Sequence, residues 1–226
     1  MKAILFDFGG TIDTDGVHWS EKFWDYYERF KLPIEKKDFE RAFKFSEDEL
    51  LSNSTLSRAT FYTTLLKQFT LQFKQLRLRE HHDVMMKMVN VCYADVGKTI
   101  AQAKSVLQNA QEKYSLAVVS NFTGNLEIVC KEFSLDAYFR VMIDSAVVGI
   151  RKPDPAIFQL ALDRMQIDAK EAYVVGDSYE RDIVPAKHLG CTTIWLKGRS
   201  WTAHPTETPA ADFTIGKFED IQSIIL

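Results

Sequence analysis

The chain opens with an apolar run that ends on a carboxylate. Ala3-Ile4-Leu5-Phe6 leads into Asp7, and Phe8-Gly9-Gly10-Thr11-Ile12-Asp13 follows directly. A continuous apolar run of this length reads as a strand buried on both faces, which is the signature of a parallel sheet covered by helices. In such sheets ligands bind at the carboxyl ends of the strands. Asp7 stands at that position, and the glycines after it allow the backbone to approach whatever binds there.

The rest of the chain repeats the pattern. Leu116-Ala117-Val118-Val119, Val141-Met142-Ile143, Ala172-Tyr173-Val174-Val175 and Thr192-Thr193-Ile194-Trp195-Leu196 read as strands, with Phe213-Thr214-Ile215 as a short last one. Helical stretches at roughly 99–113, 124–133, 155–165 and 180–189 separate them. Between the first strand and this region the texture differs. Residues 16–92 hold almost no glycine and one proline, Pro33. Trp19, Phe23, Tyr26, Tyr27 and Phe30 fall at helical spacing, and Pro33 should end that helix. A second helix is expected over 35–51, a third, capped by Thr55 or Ser57, through about 73, and a fourth over 79–92. The fold class is therefore α/β: a Rossmann-like parallel sheet with an inserted helical bundle. The expected division is a core of 1–15 and 95–226 and a helical cap of 16–94.

Composition narrows the function classes. With 46% hydrophobic and 26% charged residues and a net charge of -3, the chain carries no basic footprint for nucleic acid or an acidic membrane surface. No apolar run reaches the ~18 residues of a membrane span. Cys92, Cys130 and Cys191 are odd in number and widely spaced, which points to free thiols in a reducing cytoplasm. The protein is expected to be a monomer or a homodimer.

Four strands or strand-helix junctions are followed by polar residues that a parallel sheet can bring to one edge. They are Asp7, Ser120-Asn121, the lysine of Gly149-Ile150-Arg151-Lys152-Pro153, and Asp177 of Gly176-Asp177-Ser178 with Asp182 beyond it. Carboxylates suit a hard divalent cation such as Mg²⁺, which keeps waters and a substrate phosphate. A lysine supplies a point charge for phosphate oxygens. Taken singly, each has a plainer use: Asp7 as a turn residue, Ser120-Asn121 as a turn, Lys152 on the surface, Asp182 as a first-turn helix carboxylate.

Taken together, in this order, the four motifs resemble those of the haloacid dehalogenase (HAD) superfamily, and the helical insertion resembles its C1-type cap. The resemblance implies that the partner is a small phosphorylated substrate and that Asp7 is the nucleophile, forming an aspartyl-phosphate. It implies metal binding by Asp7, the Gly9 carbonyl and Asp177, with Asp182 holding a metal-bound water or orienting Lys152. Ser120, Lys152 and main-chain amides near Gly10 and Asn121 would hold phosphoryl oxygens, with Thr11 steadying the loop.

One position departs. Where the family's phosphatases carry an acid–base Asp, this chain has Gly9. General acid–base help is worth about 10²–10⁴-fold. Asp13, Asp15 or His18 can be asked to replace it, although solvated hinge roles are the plainer expectation for them. Two other readings follow from the glycine. One is a phosphonatase-type P–C hydrolase, which needs a desolvated cap lysine such as Lys22, Lys44 or Lys67. The other is a low-turnover protein that holds phosphate as a ligand or signal. Asp177 argues against dehalogenation, whose enzymes use no metal. The aromatic face from Trp19 to Phe30 is expected to be bundle core, and His81-His82 exposed helix surface.

Overall fold

A computed structural model describes residues 2–51, 54–201 and 203–226. Six parallel strands form one sheet: β1 (Ala3–Phe6), β2 (Ser115–Ser120), β3 (Phe139–Asp144), β4 (Ala172–Gly176), β5 (Thr192–Leu196) and β6 (Phe213–Ile215), in the order β3-β2-β1-β4-β5-β6. This is the doubly wound order, and the chain changes direction across the sheet at β1 and β4. β1 is buried at every position because it has a strand on each side: Leu5 pairs with Ala117 of β2 and Val174 of β4. Its alternate residues feed two cores. Ile4 and Phe6 pack with Ile100, Val106 and Leu107, whereas Ala3 and Leu5 pack with Ile157, Phe158 and Leu162.

The bundle consists of α1 (Trp19–Arg29), α2 (Lys36–Leu51), α3 (Phe61–Gln75) and the first half of α4 (His82–Gln111). The third helix starts later than expected. The chain first makes a tight helical turn at Ser54–Arg58, and Thr60 then caps α3 by accepting the Thr63 N–H. The expected helices over 79–92 and 99–113 are one helix of 30 residues. Its buried stripe of Met85, Met88, Val89, Cys92, Val96, Ile100 and Ala103 keeps helical spacing across the expected boundary at 94/95, and Gly97 inside it costs only about 1 kcal/mol. The bundle and the sheet therefore share one rod.

Phe23, Phe39, Phe43 and Phe69 fill the bundle interior, with the Phe23 and Phe69 rings 4.7 Å apart and edge-on. A buried polar chain threads it. Tyr27 Oη donates to Gln72 Oε1 at 3.0 Å, Gln72 Nε2 to Ser46 Oγ at 3.2 Å, and Ser46 Oγ to the Phe43 carbonyl at 2.7 Å. Tyr27→Phe would strand the Gln72 oxygen without a donor, so a loss of about 1–3 kcal/mol is expected in urea unfolding. The three cysteines are free and buried. Among the described residues no helix is long and apolar enough to cross a membrane. The histidine pair splits: His82 is exposed, but His81 is half-buried, with Nδ1 sealed and unpartnered among the described residues.

Candidate active site

Asp7 leaves β1 with its N–H bonded to the Val175 carbonyl of β4 at 2.9 Å, which sets it beside the β4 exit that carries Asp177. Two glycines make the approach possible. A Cβ on Gly10, whose φ is +97°, would lie 2.5 Å from the Asp177 carboxyl, and one on Gly176 would lie 2.4 Å from that of Asp182. The Thr11 hydroxyl stands between Asp7 and Asp177, 3.3 Å from Asp7 Oδ2 and 3.4 Å from Asp177 Oδ1, and accepts the Asp177 N–H at 3.1 Å.

Lys152 joins the group from a loop. Its Nζ lies 2.6 Å from Asp7 Oδ1 and 2.6 Å from Asp182 Oδ1, with all three side chains buried. Asn121 positions that loop: its Nδ2 donates to the Lys152 carbonyl at 3.0 Å and its Oδ1 accepts the Lys152 N–H at 2.9 Å. Burial alone would push the Lys152 ammonium down, but Asp182 and Asp7 reverse this and hold it above the usual lysine range. Asp182 Oδ2 accepts the Ser178 N–H at 3.1 Å, so both its oxygens are engaged.

One ammonium faces three carboxylates. Oxygens of Asp7, Asp177 and Asp182 lie within 4.8 Å of one another. Burial, and then the charges of Asp7 and Asp182, raise Asp177 well above the usual carboxylate range. An excess of buried negative charge on hard oxygen donors fits a small divalent cation.

The structure brings Asp7, Gly9, Ser120, Asn121, Lys152, Asp177 and Asp182 to the wall of one cavity of about 180 Å³. It corrects other expectations. The Gly10 N–H donates to Asp13 Oδ1 at 2.8 Å and so is not offered to a phosphoryl oxygen. Thr11 lies beside the nucleophile as expected, fully buried between two carboxylates and off the cavity wall. Asp13 is not solvated. It is fully buried, accepts from Gly10 and from Trp19 Nε1 at 2.9 Å, and is raised to about 7 by burial. With both oxygens turned into the loop it cannot reach a leaving group. Asp15 accepts the Phe218 N–H at 2.7 Å and serves the core. Trp19 is only partly bundle core, because its indole covers the cavity side of Gly9, 3.7 Å from where a Cβ would sit.

Sequence reasoning missed Glu47, Gln68, Arg151 and Arg181, which also line the cavity. Arg151 and Arg181 are chain neighbours of Lys152 and Asp182, which was the available signal. Glu47 and Gln68 come from α2 and α3 of the cap, and nothing in their local spacing marks them. Burial raises Glu47 to about 7, against the pull of Arg181.

These shifts give the metal-free protein a distinctive pH response. Asp13 and Glu47 titrate near 7 and Asp182 near 6 when folded, against 3.8–4.5 ordinarily. In that window the folded state holds protons that the unfolded chain has released, so stability falls as pH rises from about 4 to 7. His18, lowered from 6.5 to about 4, opposes them between those values. The urea midpoint without metal is therefore expected to be lower at pH 8 than at pH 5.5.

A parallel sheet in this order, with three acidic groups and a lysine at its carboxyl edge beneath a helical bundle, is a hydrolase-type scaffold. Residues 1–190 match the family model for haloacid dehalogenase-like hydrolases, and the chain belongs to that family. It is 37% identical over 92 residues to a glyceraldehyde 3-phosphate phosphatase of Pyrococcus abyssi, covering 40% of this chain and 39% of that one. It is 26% identical over 137 residues to the pyrimidine 5'-nucleotidase YjjG of Escherichia coli, covering 58% and 59%. These matches span less than two thirds of the relatives' own length. A crystal structure of a dehalogenase with an intermediate complex superposes over 100% of this chain and 97% of its own with a TM-score of 0.67 at 16% identity, a likeness of fold.

Proposed function

We propose that the protein is a Mg²⁺-dependent phosphohydrolase that acts on a small phosphorylated molecule through an aspartyl-phosphate on Asp7. The observation that carries this reading is the buried contact of Lys152 with both Asp7 and Asp182, 2.6 Å each, beside a third carboxylate. Asp7, Asp177 and the Gly9 carbonyl would hold the cation, with Asp182 behind them; bound there, it would neutralise phosphoryl charge. Asp7 Oδ attacks phosphorus, and the ammonium of Lys152 offsets the charge gathered around it. Ser120 and the cavity arginines face the phosphoryl oxygens. The phosphatase names of the relatives agree with this chemistry. The P–C alternative lacks an amine: among the described residues the lysine on the cavity wall is Lys152, already held by two carboxylates.

Breakdown of the aspartyl-phosphate needs a base for water, and Gly9 supplies none. A phosphatase panel with Mg²⁺ on the wild type and Gly9→Asp tests this. Gly9 has φ -77° and ψ 114°, open to any residue, and its Cβ space is not blocked. Steady-state turnover of monoesters should rise by about 10²-fold or more, with less phosphoenzyme standing at steady state. A wild type that binds Mg²⁺ and phosphate yet never becomes phosphorylated would favour the low-turnover phosphate-binding reading.

A further inference from the structure

Building on the aspartyl-phosphate reading, we propose that His18 is the residue that meets the leaving group, as a neutral hydrogen-bond donor through Nε2–H. In-line displacement places the leaving oxygen opposite the attacking carboxylate. Asp7 attacks from the sheet edge, so the leaving oxygen faces the cap wall of the cavity. The polar side chains of that wall are His18, Glu47, Thr64 and Gln68. Thr64 is already spent, its hydroxyl donating to the Thr60 carbonyl and accepting from Asn125 Nδ2, both at 3.0 Å. Glu47 is a rival on the same wall, but above about 7 it is a carboxylate with no proton to give, whereas a neutral imidazole offers its N–H there. Gln68, one helix further into the cap, is left to face the body of the substrate.

The His18 ring is fixed in place and in tautomer. It caps α1, and its Nδ1 accepts the Ser20 N–H at 3.2 Å and lies 2.7 Å from Ser20 Oγ. An N–H aimed at Nδ1 requires a lone pair there, so the ring proton is on Nε2. Trp201 stacks on one face at 6.2 Å and Phe43 meets the ring at 6.4 Å. Nε2 has no hydrogen-bond partner among the described residues, which leaves it as the polar edge for the cavity. Burial and Arg181 keep the imidazole neutral, at about 4, while Glu21 and Asp7 pull the other way. In the step itself the Asp7 oxygen bonds to phosphorus and the bond from phosphorus to the leaving oxygen breaks. The leaving oxygen takes its stabilising hydrogen bond from Nε2–H and its proton from water. Because the Nδ1 lone pair is tied to Ser20, His18 is a donor only and does not activate the water of the second step.

The test is a leaving-group series with Mg²⁺. It compares p-nitrophenyl phosphate, which needs little help, with glycerol phosphate, which needs much. His18→Phe keeps the ring contacts. His18→Asn keeps an acceptor for the Ser20 N–H, and its shorter side chain draws the remaining N–H donors back from the Nε2 position; it serves if the Phe variant fails to fold. In either variant kcat/KM for glycerol phosphate should fall by about 10²-fold, and that for p-nitrophenyl phosphate by less than about threefold. The wild-type alkyl-phosphate rate should persist above about 7, where Glu47 has lost its proton and the His18 N–H remains. Equal losses on both substrates would reduce His18 to a structural cap and overturn the proposal, as would a wild-type alkyl-phosphate rate that disappears above that pH. If the wild type forms no phosphoenzyme from either compound, the underlying function fails first, before any His18 variant is made.

Discussion

Asp7→Asn is expected to fold, to bind phosphate, and to turn over nothing. Asparagine keeps the size of the side chain and an oxygen for the Lys152 ammonium, which also retains Asp182 at 2.6 Å. It removes one of three carboxylates whose oxygens crowd within 4.8 Å, so the like-charge repulsion that raises Asp177 is relieved. Stability without metal should therefore hold or rise, which separates this variant from a merely misfolded one. The amide cannot attack phosphorus. Loss of a nucleophile costs on the order of 10⁴–10⁶ in turnover in enzymes whose remaining groups act as a unit with it, so the rate should fall to background. The direct readout is intact-protein mass after mixing with acetyl phosphate and Mg²⁺: one phosphoryl group on the wild type, none on Asp7→Asn. A variant that is still phosphorylated would place the nucleophile elsewhere and end the mechanism.

The residues of this prediction are legible in the sequence because each follows a buried strand or opens a loop at the sheet's carboxyl edge. A strand buried on both faces is written as a short continuous apolar run, a local signal, and Ala3–Phe6 before Asp7 or Ala172–Val175 before Gly176-Asp177 carries it within a few positions. The less legible features depend on what lies across the chain. Asp13 sits six residues past Asp7 and looks like one more loop acid. It is buried because Trp19 folds back to give it an indole N–H. The Gly10 amide resembles a free phosphate donor until Asp13 takes it. The sequence of α4 reads locally as two helices, because no local rule says that one apolar stripe will serve the bundle and then the sheet. Glu47 and Gln68 reach the cavity only because α2 and α3 dock over it, a contact far outside any local window. The sheet edge could be read from spacing, and the roof over it could not.

Lys152→Met should be the most destabilising single change at the site. The ammonium is the counter-charge for Asp7 and Asp182 and is itself buried. Methionine keeps most of the volume and removes the charge, leaving two paired carboxylates and Asp177 together in a low-dielectric pocket. Breaking a buried pair by removing one partner costs about 3–5 kcal/mol, more than the intact pair contributes over an apolar substitute. The measurement is urea unfolding of wild type, Lys152→Met, Asp182→Leu and the double variant at pH 7.5. Lys152→Met should lose about 3–5 kcal/mol, and the double variant should lose less than the sum of the two single changes, because the removed charges no longer leave each other stranded. Mg²⁺ should recover part of the Lys152→Met loss, since any cation that binds only the folded state stabilises it, by about 2.7 kcal/mol at a hundred times its Kd. Additive losses in the cycle would show that Lys152 and Asp182 are not coupled. A Lys152→Met protein as stable as the wild type without metal would mean that the three carboxylates do not share one buried site, and the assignment of a cation there would go with it.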